Sequence, residues 1–371
     1  MNLTRRQETN AHRLWNQHIA PNSAAKSPED VLGSLGAMQA QDYSAALWAI
    51  GLRCSGSVTK RQIEDAIIKR SISRTWLMRG TLHFARSQDL RWMVRLFAPR
   101  LLKVAEARDR KLGLSDNTVK KCEALFRSAL ERDHRLTRGE MYKVLKDGGI
   151  QFPGILGYHL LYRAAWDGVI CFGAHEGKQA TFELLDERAA RKTELSGAQA
   201  LAQLASKYFT SRGPATIKDF AWWSGLTVSD AKGGVEIASP SLVKEEIEGK
   251  TYYAARDTPG LDAGDTSLHL LPAFDEYLVG YSDRSAMLGS EATQRLLRSG
   301  KIALTHSNGI FLPVVVADGL VVGTWKRKDE RDGVVVTVQP FMKLDHALHG
   351  GIKKAAERYG DFLEIRMRID F

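Results

Sequence analysis

Two glutamines flanking one small residue, Gln39-Ala40-Gln41, with Asp42 directly after them, are the sharpest chemical signal in this 371-residue sequence. A glutamine side chain carries both a carbonyl acceptor and an amide donor. It can orient a water molecule, but it is no base near neutral pH and hardly deprotonates one. Two such amides aimed at one point would hold water against a centre that is already electrophilic. Geometry sets a condition on this. Residues two apart on a helix point to nearly opposite faces, whereas along an extended chain they share one. The pair converges only if the helix expected over Pro28–Met38 stops here and the chain runs extended. Asp42, ahead of Tyr43-Ser44-Ala45-Ala46-Leu47, fits that course because Asp is a favoured N-cap for the next helix. The plainer alternative makes Gln39 and Gln41 surface polar residues and Asp42 only a cap.

Cations form the second group of candidates. The chain carries 53 Lys and Arg against 43 Asp and Glu, a net charge of +10. Between Lys69 and Arg110 there are eleven basic residues against three acids (Asp89, Glu106 and Asp109), a local balance of +8. So one-sided a tract suits a phosphate-facing surface, with a solvated helix face as the alternative. Arg79, Arg86, Arg91 and Arg95 are its candidate phosphate ligands, and Arg91 and Arg95 have the i, i+4 spacing of one helix face. His83, on an expected strand beside the tract, is either a contact to phosphate or substrate or a structural histidine. Further on, Trp325-Lys326-Arg327-Lys328 leads into Asp329-Glu330-Arg331-Asp332-Gly333, a charged hairpin tip.

Other chemistries lack their motifs. Asp275, Glu276, Asp283, Asp345, His346 and His349 match no metal-ligand spacing, so no metal and no cofactor are expected. Gly350-Gly351-Ile352-Lys353 lacks the spacing of a phosphate-binding loop. Cys54, Cys122 and Cys171 are odd in number and far apart, which argues against a disulfide framework. Neither a signal-like N-terminus nor an apolar run of transmembrane length is present. A reduced cytoplasmic protein, associated with the nucleoid if it binds DNA, is the expectation.

The elements that must position these residues repeat. Helix, helix, then a two-stranded hairpin recurs three times, the pattern of a winged helix. The clearest copy opens at Thr137, with Glu140 as capping-box partner, and has helices to Gly148-Gly149 and over about Ile155–Trp166. Strands at Gly168–Phe172 and Ala180–Leu184 follow. The third copy begins near Pro214, taken as a first helical residue, and passes Gly225 and the cap Thr227 to a hairpin at Leu242–Ile247 and Thr251–Ala255. The first copy is looser, with helices in Pro28–Met38, Ala45–Leu52 and Gln62–Lys69 and a hairpin at Ile72–Met78 and Leu82–Ala85. After it all comes a strand-rich region with strands at Leu268–Leu271, Phe311–Ala317, Leu320–Lys326, Val334–Gln339 and Leu363–Ile369 and a helix from Asp345 to Tyr359. The expected fold is α+β: three tandem winged-helix modules (1–115, 116–195 and 196–260) and a C-terminal β-rich region with one helix (261–371).

Gly36-Ala37-Met38-Gln39-Ala40-Gln41-Asp42, with Trp48 and Leu52, resembles the signature of the AlkZ-like (YcaQ-related) alkylpurine DNA glycosylases. The resemblance continues at Arg79-Gly80-Thr81-Leu82-His83, Gly213-Pro214-Ala215-Thr216, Leu271-Pro272-Ala273-Phe274-Asp275-Glu276-Tyr277, Gly280-Tyr281-Ser282-Asp283-Arg284 and Asp318–Arg327, in order along nearly the whole chain. That family has three tandem winged helices and a motif of Gln, an apolar or small residue, and Gln, with Asp in the last place in one branch. Ala40 is smaller than the usual middle residue. The resemblance implies that Gln39 and Gln41 are the catalytic pair, and that Lys326 and Arg327 sit on a hairpin that engages DNA. It further implies a monofunctional enzyme, acting as a monomer on double-stranded DNA that contains purines alkylated at N3 or N7, with interstrand crosslinks as a further option and no membrane partner. A non-catalytic winged-helix DNA-binding or regulatory protein is the alternative, and a metal nuclease a third.

Overall fold

The structure, a computed structural model, describes residues 3–189, 194–256, 268–289, 294, 297–298, 300, 304–305, 311–331 and 333–371. The boundary expected at 260/261 and Asp332 of the charged hairpin tip lie outside the described residues. Helices and strands are mixed throughout, as expected. Two compact units result, one made of Met1–Ile63 with Ala202–Phe371, the other of Glu64–Leu201. Among the described residues no helix is long and apolar enough to cross a membrane.

In the unit Glu64–Leu201, Ile72–Leu77 and Thr81–Arg86 form an antiparallel hairpin, in register from Ile72↔Arg86 to Leu77↔Thr81. Ile170–Phe172 and Thr181–Leu184 form a second. Their inner strands meet at Arg74↔Phe172, so the expected wings of the first two repeats are neighbours in one sheet. Trp76 anchors its core, with ring centroids 4.8 Å from Phe172 and 5.8 Å from Tyr158 on the helix Leu156–Trp166. The helix Arg138–Asp147 starts with the expected capping box: Glu140 N donates to Thr137 Oγ1 (3.3 Å) and Thr137 N to Glu140 Oε2 (2.7 Å). Two long helices exceed the expectations. Leu90–Lys111 continues through Pro99, and Asp116–Asp133 is capped by Ser115.

In the other unit the third repeat keeps its pattern, with helices Ile217–Ser224 and Val228–Ala238 and the hairpin Leu242–Ile247/Lys250–Ala255. Pro214 is not its first helical residue. Thr216 is the N-cap, because its side chain and that of Asp219 close a capping box that fixes the start at Ile217. The C-terminal sheet has the spatial order Met367–Asp370, Gly333–Pro340, Leu320–Glu330, Val314–Ala317, Leu268–Leu271. Its Leu320 strand extends four residues past Lys326, because it pairs with Gly333–Pro340 out to Glu330↔Gly333. The helix His346–Leu363, capped by Asp345, overruns the expected end at Tyr359, so the last strand starts only at Met367. Apolar Tyr359 and Phe362 hold that final helical turn. Their rings lie about 5 Å from Trp48, at centroid distances of 5.0 and 5.1 Å. At the turn before Leu320, Gly319 (φ 77°) has no room for a side chain, since a Cβ would fall 2.4 Å from Asn10 Cβ.

Candidate active site

The helix Pro28–Leu35 stops three residues before the expected Met38. Gly36 takes φ 78° and ψ −62°, its N–H closes on Leu32 O at 2.9 Å, and the backbone leaves the helix there. Positive φ is cheap for glycine and strained for other residues. Ala37–Gln39 is then a strand, and the chain bends at Gln41 and Asp42. Asp42 caps the helix Tyr43–Leu52 as expected, its Oδ1 accepting from Ala45 N at 3.0 Å. Burial is continuous along this stretch. Ala37, Met38 and Ala40 are 0%, 1% and 0% exposed, Gln39 is buried at 9%, and exposure begins only at Gln41. Gln39 is thus a buried side chain and Gln41 an exposed one.

A buried ion pair grips the backbone under the motif. Arg212, the last residue of the helix Gly197–Arg212, donates from Nη1 to Leu35 O (2.9 Å) and from Nη2 to Ala37 O (3.0 Å). Its Nη2 also donates to Glu276 Oε2 (2.7 Å), and the other carboxylate oxygen, Oε1, accepts from Gln39 N (2.7 Å). Trp223 Nε1 adds a third donor to Oε2 at 2.8 Å, and the guanidinium carbon lies 4.3 Å from the centre of the Trp223 ring system. Arg212 and Glu276 are 0% and 1% exposed. Tyr281, whose hydroxyl donates to Arg212 O, has its pKa pushed up to about 12 by burial, so it remains a donor. The neighbouring Asp275 forms a second buried pair with Arg53 and caps the short helix Glu276–Val279. The acids first weighed as metal ligands thus have structural partners. Among the described residues no group of three or more His, Cys, Asp or Glu could hold a metal ion.

The cations are distributed over both units. Lys326 and Arg327 share a unit with the glutamines, on the strand Leu320–Glu330. Lys326 is exposed, whereas Arg327 donates to Tyr359 Oη at 3.0 Å and to Asp329. Arg79, His83, Arg86, Arg91 and Arg95 belong to the unit Glu64–Leu201. Arg79 is half-buried in the turn after Leu77. Arg86 pairs with Asp89 at 2.9 Å, and Arg91 and Arg95, one turn apart on the helix Leu90–Lys111, pair with Asp186 and Glu194. His83 sits on the expected strand, fully buried, with Nδ1 2.9 Å from Thr81 O. Sequence reasoning did not find the Arg212–Glu276 clamp. Its only signal was the position of both residues in or beside segments that carry the family resemblance.

Helices and hairpins that recur along a chain of net charge +10 are features of a DNA-processing protein. The chain belongs to the AlkZ-like DNA glycosylase family, whose model matches residues 32–362, and it is accordingly a hydrolase that acts on DNA. It is 27% identical over 372 residues to the interstrand DNA cross-link repair glycosylase of Streptomyces sahachiroi, with 93% of each chain covered. Its fold matches the solved structure of Streptomyces sahachiroi DNA glycosylase AlkZ with a TM-score of 0.76, at 25% identity over the whole of both chains.

Proposed function

We propose that this enzyme hydrolyses the N-glycosidic bond of purines made cationic by alkylation at N3 or N7, with Gln39 and Gln41 positioning the attacking water. The course of residues 35–42 supports this reading: the helix ends at Leu35, Ala37–Gln39 runs extended, and the motif passes from the buried Gln39 to the exposed Gln41 at the chain's bend. Alkylation puts a positive charge on the base, so the base leaves as a neutral molecule when the C1′–N bond breaks. The sugar passes through an oxocarbenium-like state. Water adds its oxygen to C1′ and loses a proton to solvent, giving an abasic site. Because the leaving group is already activated, orienting water is sufficient and a general base is not required. Asp42 keeps its carboxylate on the helix cap.

The remaining assignments belong to the same proposal. Three tandem winged helices over 1–115, 116–195 and 196–260, followed by a β-rich region over 261–371, would present the glutamines to double-stranded DNA. The third repeat, with its complete helix–helix–hairpin order, supports this most directly. Arg79, Arg86, Arg91, Arg95, Lys326 and Arg327 would supply phosphate contacts, the paired arginines by exchanging their acid partners for DNA, and His83 would support that surface from within its strand. The cross-link repair named for the Streptomyces relative suggests crosslinked purines as a second substrate. We place the enzyme, as a monomer, in the cytoplasm at the nucleoid.

The test is to incubate the purified protein with alkylated duplex DNA in EDTA and to analyse free bases and strand breaks separately. Release of 7-methylguanine and of unhooked crosslinks, without strand cutting, is the expected outcome. Metal-dependent cutting, or sequence-specific binding to undamaged DNA with no base release, would overturn the reading.

A further inference from the structure

We propose that the buried Arg212–Glu276 pair is the positioning device of the glutamine motif. It holds the main chain of residues 35–39 so that the Gln39 amide meets the sugar of the bound nucleotide. This rests on the assignment of Gln39 to the reaction. Within five residues the chain changes from helix to strand, through a glycine in a non-helical conformation. The last carbonyls of a helix have no partner inside it. Here external groups satisfy them. One guanidinium takes Leu35 O and Ala37 O, and the carboxylate bound to that guanidinium takes Gln39 N. Residues 35, 37 and 39 are thus fixed by a single rigid unit, which Trp223 locks through both its N–H and its ring face.

Stability alone is a weak explanation for such a pair. An ion pair withdrawn completely from water roughly offsets its own desolvation, and well-packed apolar residues in its place are often as stable. Geometry is a better explanation. Arginine presents a planar fork of donors that reaches several acceptors at once, whereas lysine presents a compact ammonium. Displacing a reacting group by about 1 Å costs on the order of 10²-fold in rate. Neither residue touches substrate in this account; both act through Gln39.

A double-mutant cycle between Arg212→Lys and Gln39→Ala tests the proposal. Its readouts are single-turnover release of 7-methylguanine at saturating enzyme, Kd for the same DNA, and the urea unfolding midpoint. Arg212→Lys alone is expected to slow release by roughly 10²-fold while Kd stays within about twofold. In the Gln39→Ala background the same substitution is expected to change the rate by less than about twofold, because coupled residues are non-additive. A general structural role would instead lower the rate by the same factor in both backgrounds, and that result, or an unchanged rate in Arg212→Lys, overturns the positioning role. A wild-type rate in Gln39→Ala alone refutes the glutamine assignment itself and the positioning role with it. If Arg212→Lys does not fold, Trp223→Phe replaces it in the same cycle. That substitution removes one donor to Glu276 and keeps an aromatic face, though a smaller one, and a rate loss of about tenfold confined to the Gln39-containing background is expected; an additive loss or none overturns the proposal.

Discussion

Asp275→Asn isolates the energetics of the scaffold beneath the motif. Asp275 accepts from both terminal nitrogens of Arg53 at 2.8 Å, and its Oδ1 also accepts from Tyr277 N at 2.8 Å. Both members of the pair are 0% exposed. Asparagine keeps the shape and one acceptor but places an amide N–H against the guanidinium, leaving a buried positive charge without its counter-ion. Breaking one side of a fully buried pair costs about 3–5 kcal/mol. That is a large part of a typical net stability of about 5–15 kcal/mol. With a urea m-value of about 2–3 kcal/mol/M, the unfolding midpoint falls by roughly 1–2.5 M while m stays constant. Adding Arg53→Met removes the orphaned charge and is expected to recover much of the loss. A midpoint that moves less than about 0.3 M in Asp275→Asn, or falls further on adding Arg53→Met, would refute the reasoning.

The carboxyl of Glu123 is pushed up to about 8, first by burial and then by the adjacent Asp167 carboxylate. A raised acid binds its proton more tightly in the folded state, so its stabilising contribution is complete below the ordinary value of 4.5 and is lost as pH rises through about 8. Glu123→Gln, neutral throughout, should flatten the fall in melting temperature between pH 5 and pH 9; an unchanged pH profile contradicts this. Gly36→Ala forces φ 78° on a residue with a Cβ, which would also contact Lys207 Cδ at 3.4 Å. It should cost about 1–2 kcal/mol and slow base release, and unaltered melting and kinetics would show that the strand start tolerates a side chain. Duplex DNA containing uracil should remain intact after long incubation, since a neutral base departs as an anion that two amides do not activate; efficient excision would rule out the proposed selectivity.

Local signals in the sequence translated well where one interaction sets an element's start. Thr137 with Glu140, Asp42 before Tyr43 and Thr227 before Val228 all cap the helices expected of them. Element ends were harder to read. The strand from Leu320 runs on because its hairpin partner continues the pairing to Glu330↔Gly333, and the helix from His346 because Trp48, distant in sequence, packs on its last turn. The helix Leu90–Lys111 was legible only in the i, i+4 spacing of Arg91 and Arg95; its extent was not, and Pro99 removes one internal hydrogen bond without ending a 22-residue helix that is packed along its buried face. At the site, an extended course through Gln39 was the condition set by its two-residue spacing to Gln41, but the burial of Gln39 was not legible. Nor was the clamp beneath the motif, because Arg212 lies 64 residues from Glu276, and Glu276 lies 237 residues from Gln39. A pairing over such separations leaves no periodicity to read. Likewise the basic tract was legible as charge, but not the acids, Asp186 and Glu194, that fold onto Arg91 and Arg95.

The central claim is that two uncharged amides orient the water that releases a cationic base. Single-turnover release of 7-methylguanine from methylated duplex DNA, compared between the wild-type protein and the variant carrying Gln39→Ala with Gln41→Ala, measures it directly. The account predicts rapid release by the wild type and a loss of about 10²–10³-fold in the variant at unchanged DNA affinity. A variant that releases the base at the wild-type rate would contradict it.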